Sequence, residues 1–197
     1  MNNQIKIIRE KLFAYWKISI NKNFLEKILS KFAPSYKIKN LTSEWIIIPI
    51  KRGKSYINTY SKKIQNPFEI GDIYFEWWKY MFWWLWVYNK YWFTTQVVEW
   101  HTIYNTKISW KKIIWKNKFI FKKQVENFFY WSIKIKKRDY EYKIMSKERA
   151  FIQMIKEWAE VFKIPENINI KKILKMSEKH TSKRIDLFLR DCKKINY

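Results

Sequence analysis

Glycine is almost missing from this chain, and its scarcity limits how the backbone can turn. Only Gly53 and Gly71 occur among 197 residues, whereas ordinary composition predicts about 14 glycines in this length. Tryptophan is in excess instead. There are thirteen, and six of them lie within residues 75–95, FEWWKYMFWWLWVYNKYWFTT. Because glycine adopts left-handed backbone at little cost, so few glycines leave most tight turns to other residues.

Several tryptophans stand where a turn would favour glycine. Trp45 follows a predicted helix, and Trp131 stands at a predicted strand break. Trp110 and Trp115 lie in a lysine-rich turn, and Trp77-Trp78 lies at a junction between helices. We therefore hypothesise that most tryptophans are UGA codons that are read as glycine in the source. The rival interpretation is a truly tryptophan-rich protein, and Trp100, inside the strand-like VVEWHTIY, is interpreted as genuine.

Composition and charge favour a folded protein with a nucleic-acid partner. Hydrophobic residues make up 48% of the chain, and 41 basic against 17 acidic residues give a net charge of +24. Such a charge attracts phosphate polyanions and makes binding salt-dependent. Only six of the basic residues are arginine. Codon bias that places lysines on solvated surfaces is therefore an equally open explanation of the positive charge.

The chain carries no signal for export, a membrane or a thiolate metal site. Cys192 is the single cysteine, which excludes an internal disulfide. The N-terminal MNNQIKIIREKL lacks the apolar segment of a signal peptide. Residues 80–93 fall short of the roughly 20 apolar residues of a membrane-spanning helix. The expectation is a cytoplasmic protein without a membrane partner.

The N-terminal part has the pattern of a winged helix-turn-helix. Helices are predicted over Ile5–Phe13 and Phe24–Phe32, and a third, opened by Pro34, runs from Lys37 to Glu44. Ser19 or Asn21 is the predicted cap of the second helix. Strands over Trp45–Ile50 and Ser55–Tyr60 flank the turn Lys51-Arg52-Gly53-Lys54. This domain spans 1–62, and a polar linker at 61–66 follows it.

The second domain, residues 66–197, is predicted to be a mixed α/β unit with C-terminal helices, so the whole chain belongs to the α+β class. Pro67–Phe75 is a predicted helix, and the aromatic stretch after it is predicted to form a helix and turn. The remaining predictions are strands at Val97–Tyr104, Lys118–Phe121 and Ile133–Ile135, and helices at Ser146–Phe162, Asn169–Lys179 and Ser182–Lys193.

The candidate DNA-binding residues lie in the third helix and the following turn. Polar side chains of a recognition helix read base edges in the major groove, and basic wing residues contact phosphates. The helix presents Lys37, Lys39, Asn40, Thr42 and Ser43, and the turn presents Lys51, Arg52 and Lys54. The alternative is a solvated helix and a solvated turn.

Three segments follow one another in the chain: IIIPIKRGKSYI, FEWWKYMFWWLWVYNKYWFTTQVVEWHTIYN and YKIMSKERAFIQMI. Their order and spacing resemble the AbiEi antitoxins of bacterial type IV toxin–antitoxin (abortive infection) systems. The wing motif RG-x-Y of that family is matched by Arg52-Gly53 and, one residue late, by Tyr56. Its GLTxQ motif is matched by Trp92-Phe93-Thr94-Thr95-Gln96, which includes Thr95 and Gln96, and the match departs at the first residue unless Trp92 is glycine. Its S-x-ERA motif is matched by residues 146–150, with Ser146, Glu148 and Arg149.

The resemblance covers most of residues 40–160 and implies a function. Such a protein represses its own operon by binding double-stranded operator DNA and counteracts a nucleotidyltransferase-like toxin, in many systems without a stable complex. The resemblance also places small residues, often glycine, where this chain has Trp83, Trp84, Trp86 and Trp92. For Arg149 the favoured interpretation is structural, as the partner of a carboxylate that fixes the helix to the sheet.

Two other features keep alternatives open. Residues 101–125 contain seven lysines and no acid, so they extend a nucleic-acid face, contact an acidic partner, or form a strand pair whose lysines blunt its edges. Glu141-Tyr142-Lys143 has the E-x-K form of a metal-dependent nuclease, but Asp139 lies only two residues before it. With His101 and His180 far apart, the chain is predicted not to be an enzyme and to need no metal or cofactor. A general RNA- or DNA-binding structural protein is the second function class.

Overall fold

A computed structural model describes residues 3–15, 17–51, 53–61, 66–76, 78–83, 85–137, 140–157, 168–178 and 182–194. It contains helices and two β-sheets, so the predicted α+β class is confirmed. The chain divides into two compact units, Met1–Trp78 with Lys111–Phe119, and Lys79–Trp110 with Ile120–Tyr197. The predicted linker falls largely on residues 62–65, outside the described residues, and a domain boundary there remains a prediction.

The first unit contains four helices and a three-stranded antiparallel sheet. Its elements are α1 (Asn3–Ala14), β1 (Ser19–Asn21), α2 (Lys22–Phe32), α3 (Ile38–Ser43), β2 (Ile47–Lys51), β3 (Ser55–Asn58) and α4 (Pro67–Phe75). The sheet order is β1-β3-β2. Asn21 caps α2, since its Oδ1 accepts the Phe24 N–H at 2.8 Å. The prediction that Pro34 opens the third helix is wrong, because Lys37 is still extended and α3 begins at Ile38.

One apolar core holds these helices on the sheet. Apolar residues of α1, α2 and α3 are fully buried together with β1 and β2, among them Ile8, Leu25 and Leu41. The buried Asn58 ties the end of α1 to β3, because its Nδ2 donates to the carbonyls of Leu12 at 2.7 Å and Tyr15 at 2.9 Å. α3 contributes the buried Leu41 to this core, and the partly buried Ile38 packs against it.

The second unit is built around a strand that the aromatic stretch forms. Its strands and helices are β4 (Tyr80–Trp83), α5 (Leu85–Lys90), β5 (Trp100–Asn105), β8 (Ser132–Lys136), β9 (Glu141–Met145), α6 (Lys147–Glu157), α7 (Ile170–Ser177) and α8 (Lys183–Lys194). A short 3₁₀ helix spans Glu126–Phe129. Within this unit the strands pair in the order β5-β4-β9-β8, and β6 (Trp110–Ile114) pairs with β7 (Asn117–Lys123).

The prediction of a helix and turn is wrong for residues 80–83. β4 pairs antiparallel with β5 and parallel with β9, where Phe82 lies opposite Ile144. All four residues of β4 are buried. A strand covered on both faces has a continuous apolar sequence instead of an alternating one. The aromatic run therefore forms an interior strand, and only its second half, α5, is helical.

The predicted helix after Ser146 is present and is buried along its length. α6 begins at Lys147, and the Ser146 Oγ accepts the Arg149 N–H at 3.3 Å. Every side chain from Arg149 to Ile155 is buried, because α5, α7 and α8 all contact this helix. The end predicted at Phe162 lies in residues 158–167, outside the described residues. α7 and α8 agree with the predicted C-terminal helices within three residues at each end.

Four residues other than glycine have a positive φ among the described residues, and all four are tryptophans. The angles are 58° at Trp45, 62° at Trp92, 56° at Trp115 and 54° at Trp131. Left-handed backbone is a rare outlier for a bulky side chain and the usual conformation of a turn glycine. The sequence pattern favours glycine at Trp45, Trp115 and Trp131, and the antitoxin resemblance implies a small residue, often glycine, at Trp92. Their backbone supports the glycine hypothesis at four particular sites.

Two of these tryptophans end helices in the Schellman hydrogen-bond pattern. After α3, the Trp45 N–H donates to the Thr42 carbonyl at 3.2 Å, and the Ile46 N–H donates to the Leu41 carbonyl at 3.0 Å. These are the paired bonds of a motif whose left-handed residue is usually glycine. The indole of Trp45 is 70% exposed, so it gains little burial in return for the strained backbone.

The end of α5 repeats the pattern. The Trp92 N–H donates to the Asn89 carbonyl at 3.0 Å, and the Phe93 N–H donates to the Tyr88 carbonyl at 2.8 Å. Trp92 is 90% exposed. Trp115 lies in a hairpin turn and not at a helix end, as the first of the two residues that join β6 to β7. Only the first of that pair has positive φ, as in a type II′ turn, which takes glycine there.

Candidate nucleic-acid interface

The third helix presents the polar surface predicted for DNA binding. Leu41 is the one buried residue of α3, and Lys37, Lys39, Asn40 and Ser43 are exposed. Thr42 is half-buried. The predicted recognition residues therefore share the exposed side of one short helix.

The uncharged residues of this set, Asn40, Thr42 and Ser43, also form hydrogen bonds with the backbone of α3. The Asn40 Oδ1 accepts the Lys37 backbone N–H at 3.0 Å. The Thr42 hydroxyl donates to the Ile38 carbonyl at 3.1 Å, and the Ser43 hydroxyl donates to the Asn40 carbonyl at 2.9 Å. The bond from the Lys37 N–H satisfies a backbone donor that the start of a helix leaves unpaired. Lys37 and Lys39 add positive charge to the same surface.

A cleft of about 690 Å³ lies beside α3 and joins it to the β2–β3 turn. Its wall on the helix side includes Lys37, Lys39 and Thr42. Gly53 and Tyr56 line it from the turn and β3. We call this space the α3 cleft. It brings five of the predicted DNA-binding and wing-motif positions, counting Gly53, around one concave surface.

Gly53 shapes the β2–β3 turn. Its φ is +69°, and a Cβ there would meet no atom within 4 Å, so the backbone conformation and not crowding favours glycine at this site. The Lys54 N–H donates to the Lys51 carbonyl at 3.0 Å, which closes the turn. Lys54 is exposed. Arg52, predicted to contact phosphate, lies outside the described residues.

Lys51 and Tyr56 are less exposed to solvent than the prediction of DNA contact assumes. The Lys51 ammonium lies 4.2 Å from the ring centroid of Trp78 and 5.9 Å from that of Tyr74. Burial lowers the pKa of Lys51, and the charge of Lys54 lowers it further, while Glu76 opposes the shift. Tyr56 is buried in the core of the first unit. DNA contact by either residue stays a prediction.

The residues that carry the antitoxin resemblance fall into two groups. Thr95 and Gln96 are exposed in the loop after α5. The Gln96 carbonyl accepts a bond from the Asn89 Nδ2 at 2.6 Å, and its N–H donates to the Thr94 Oγ1 at 3.3 Å. The loop is thus held by its backbone, and its side chains at 95 and 96 are accessible to a partner.

The second group lies at the start of α6, where Ser146 and Arg149 are buried and Glu148 is partly buried. Ser146 caps the helix, and Glu148 lies 4.0 Å from the Lys172 ammonium. Arg149 is fully buried, with its guanidinium carbon 4.4 Å from the ring centroid of Tyr130 and 5.3 Å from that of Phe128. Burial lowers the pKa of Arg149 to about 10, although Tyr88 and Glu157 oppose the shift. Aromatic rings therefore lie close to this guanidinium, and Glu157 interacts with it electrostatically.

The E-x-K segment is occupied by other contacts. The Glu141 Oε1 lies 3.0 Å from the Lys134 ammonium on the neighbouring strand β8. The Lys143 ammonium lies 5.5 Å from the ring centroid of Tyr80. Asp139 and His180 lie outside the described residues. Burial lowers the pKa of His101. Across the described ranges, no group of three His, Cys, Asp or Glu residues is placed to hold a metal ion.

The lysine-rich stretch contains a strand pair, which is one of the three interpretations of residues 101–125. Residues 110–114 form β6 and pair with β7, so the prediction of a turn that holds both Trp110 and Trp115 is wrong. Within the part of the chain that the structure describes, none of the helices has the length and apolar character to span a bilayer.

The chain matches no known protein-family profile and no curated protein.

Proposed function

We propose that this chain is a DNA-binding transcriptional repressor and antitoxin of a type IV toxin–antitoxin system. It would repress its own operon and counteract a nucleotidyltransferase-like toxin. The observation that carries the DNA-binding half is the arrangement of the first unit. Three helices with strands in the order β1-β3-β2 support the assignment of a winged helix-turn-helix. In that layout α3 is the recognition helix and the β2–β3 turn is the wing.

The chemistry of the α3 cleft supports this assignment. Lys37 and Lys39 face a surface that also carries the polar groups of α3. Lysine side chains bind phosphates or the acceptor atoms of guanine, and amides and hydroxyls bond to base edges. A net charge of +24 adds a long-range attraction for DNA.

The antitoxin half is supported by the family resemblance and by the exposure of part of its motif. Thr95 and Gln96 are accessible, whereas Arg149 is buried among aromatic rings. We assign toxin counteraction to the exposed pair and a structural role to the α6 residues. The localisation that follows from this proposal is the cytoplasm, where operator DNA and toxin are found.

Substitution of α3 tests the repressor proposal. Lys39→Ala is expected to weaken binding to the DNA upstream of the gene by about 1 kcal/mol, or roughly fivefold, and to relax sequence preference. Arg52→Ala is expected to weaken binding to all sequences alike and to lower the salt slope by about 1. Gel-shift titrations at several salt concentrations, with a scrambled duplex as competitor, measure both effects.

Lys136→Ala is the matched control, since Lys136 is an exposed lysine on β8 in the second unit. Unchanged affinity and unchanged specificity in both test variants would remove α3 and the wing from the proposal. Equal affinity of the unmodified chain for operator and scrambled DNA, with a steep salt slope, would instead favour the general nucleic-acid-binding protein.

The antitoxin proposal has a separate test in cells. Co-expression of this chain is expected to restore growth to cells that express a nucleotidyltransferase encoded beside its gene. The double variant Thr95→Ala, Gln96→Ala is expected to lose this rescue while it keeps DNA affinity and thermal stability, because both side chains are exposed. Lys39→Ala is the complementary control, with full rescue and weak DNA binding. Failure of the unmodified chain to rescue growth would contradict the antitoxin half alone.

A further inference from the structure

A second basic element lies beside α3 in the first unit. Residues 111–119, which we call the basic hairpin, carry Lys111, Lys112, Lys116 and Lys118 and no acid. Lys112 fixes the hairpin to the body of the unit, because its ammonium donates to the Ile50 carbonyl at 2.8 Å. The same ammonium lies 4.9 Å from the ring centroid of Tyr74 on α4. The hairpin is therefore part of the surface that β2 and α4 present.

A second cleft, of about 870 Å³, separates the basic hairpin from the end of α3. Thr42, Trp45 and Ile48 line one side, and Ile113 and Lys116 line the other. We call it the hairpin cleft. Thr42 and Pro49 line both this cleft and the α3 cleft. The two clefts thus adjoin along one ridge, and Thr42 belongs to the predicted recognition helix.

Positive charge lines both ends of this continuous surface. Lys37 and Lys39 are exposed at the α3 end, and Lys111 and Lys116 are exposed on the basic hairpin. Trp45 and Trp115, which line the hairpin cleft, have left-handed backbone. Glycine at those two positions would lower the apolar walls and leave the lysines as the most prominent side chains.

We propose that the basic hairpin acts as a second wing, whose lysines bind DNA phosphates next to the segment that α3 contacts. This inference rests on the proposed repressor function and adds a second set of phosphate contacts to it. A double helix carries a phosphate about every 1.7 Å of its axis, so a duplex seated on α3 presents phosphates along its whole length to neighbouring basic groups. The hairpin cleft shares Thr42 with the α3 cleft, so a duplex that contacts α3 is continuous with the hairpin cleft. DNA is therefore favoured over an acidic protein surface as the occupant.

Salt-dependent binding of the full chain tests the proposal. Lys111→Gln with Lys116→Gln removes two exposed charges from the hairpin. Each phosphate contact contributes about 0.9 to the slope of log affinity against log salt concentration, so the double variant is expected to lose about 2 from that slope. The upstream duplex and a scrambled duplex are expected to lose affinity by the same factor, because phosphates are independent of sequence.

Lys136→Gln with Lys137→Gln is the matched control, as it removes two exposed charges elsewhere. Thermal unfolding of both double variants checks that the fold is kept. Identical slopes for the hairpin variant, the control and the unmodified chain would overturn the hairpin proposal while the repressor proposal stands. Loss of growth rescue with unchanged DNA binding would overturn it in favour of an acidic protein partner. Absence of DNA binding by the unmodified chain would overturn both proposals.

Discussion

Replacing Trp45 and Trp92 by glycine is expected to raise the free energy of unfolding by about 1–3 kcal/mol at each site, the cost of a non-glycine residue held in left-handed backbone. Both residues occupy the left-handed position of a Schellman motif, with φ of 58° and 62°. Their indoles are 70% and 90% exposed, so little burial is lost with them. Urea unfolding followed by far-ultraviolet circular dichroism measures the change.

Alanine at the same positions separates backbone strain from loss of the indole. Trp45→Ala and Trp92→Ala remove the ring but keep the Cβ that disfavours positive φ. They are expected to stay within about 0.5 kcal/mol of the unmodified chain, as exposed substitutions do. Equal stability of the alanine and glycine variants would contradict the strain argument. Trp100→Gly, at the first residue of β5, is expected to lower stability, because glycine weakens a strand.

The glycine hypothesis also predicts the composition of the protein made in its source. Peptide masses are expected to show glycine at 45, 92, 115 and 131, and the corresponding codons are expected to be UGA. Codons that are mostly UGG at these four sites would reject the hypothesis. The four left-handed sites are the strongest cases, because each has a backbone conformation that an indole does not stabilise.

Trp83→Ala is expected to lower the free energy of unfolding by about 3–5 kcal/mol, as when large core side chains are truncated. Trp83 belongs to β4 and is 2% exposed. Its ring lies 4.6 Å from that of Tyr104 and 4.8 Å from that of Phe128, centroid to centroid. The guanidinium carbon of Arg149 lies 5.6 Å from it. Truncation would leave a cavity next to a buried cation.

Trp83→Phe is the conservative comparison for this site. The Trp83 Nε1 is buried, and no acceptor for it lies within the described ranges. A buried donor without an acceptor costs about 1–3 kcal/mol, so phenylalanine, which lacks the donor, is expected to lose much less than alanine. Equal losses in both variants would show that ring packing is not the source of the stability. We therefore interpret Trp83 as a genuine tryptophan, although the family resemblance places a small residue there.

Local features of the fold were well predicted from the sequence. The apolar spacing and the Asn21 cap predicted α2, and Pro67 predicted the start of α4. Glu141–Met145 was missed as a strand, although its signal is present, since Tyr142 and Ile144 alternate with more exposed neighbours. β1 was missed because three residues are too few to show a period. Within the candidate site, the exposure of Lys37 and Lys39 follows from the pattern of α3.

The sequence by itself determined the helices α2, α4 and α6, the caps Asn21 and Ser146 and the positions that suit glycine, because each depends on residues within a few places of one another. Only the tertiary structure decided that Tyr80–Trp83 is an interior strand, that aromatic rings surround Arg149 and that the basic hairpin adjoins α3. These features depend on strand pairing and packing between residues far apart in the chain. A continuous apolar run suits a buried strand and a buried helix equally, so its neighbours in space decide between them.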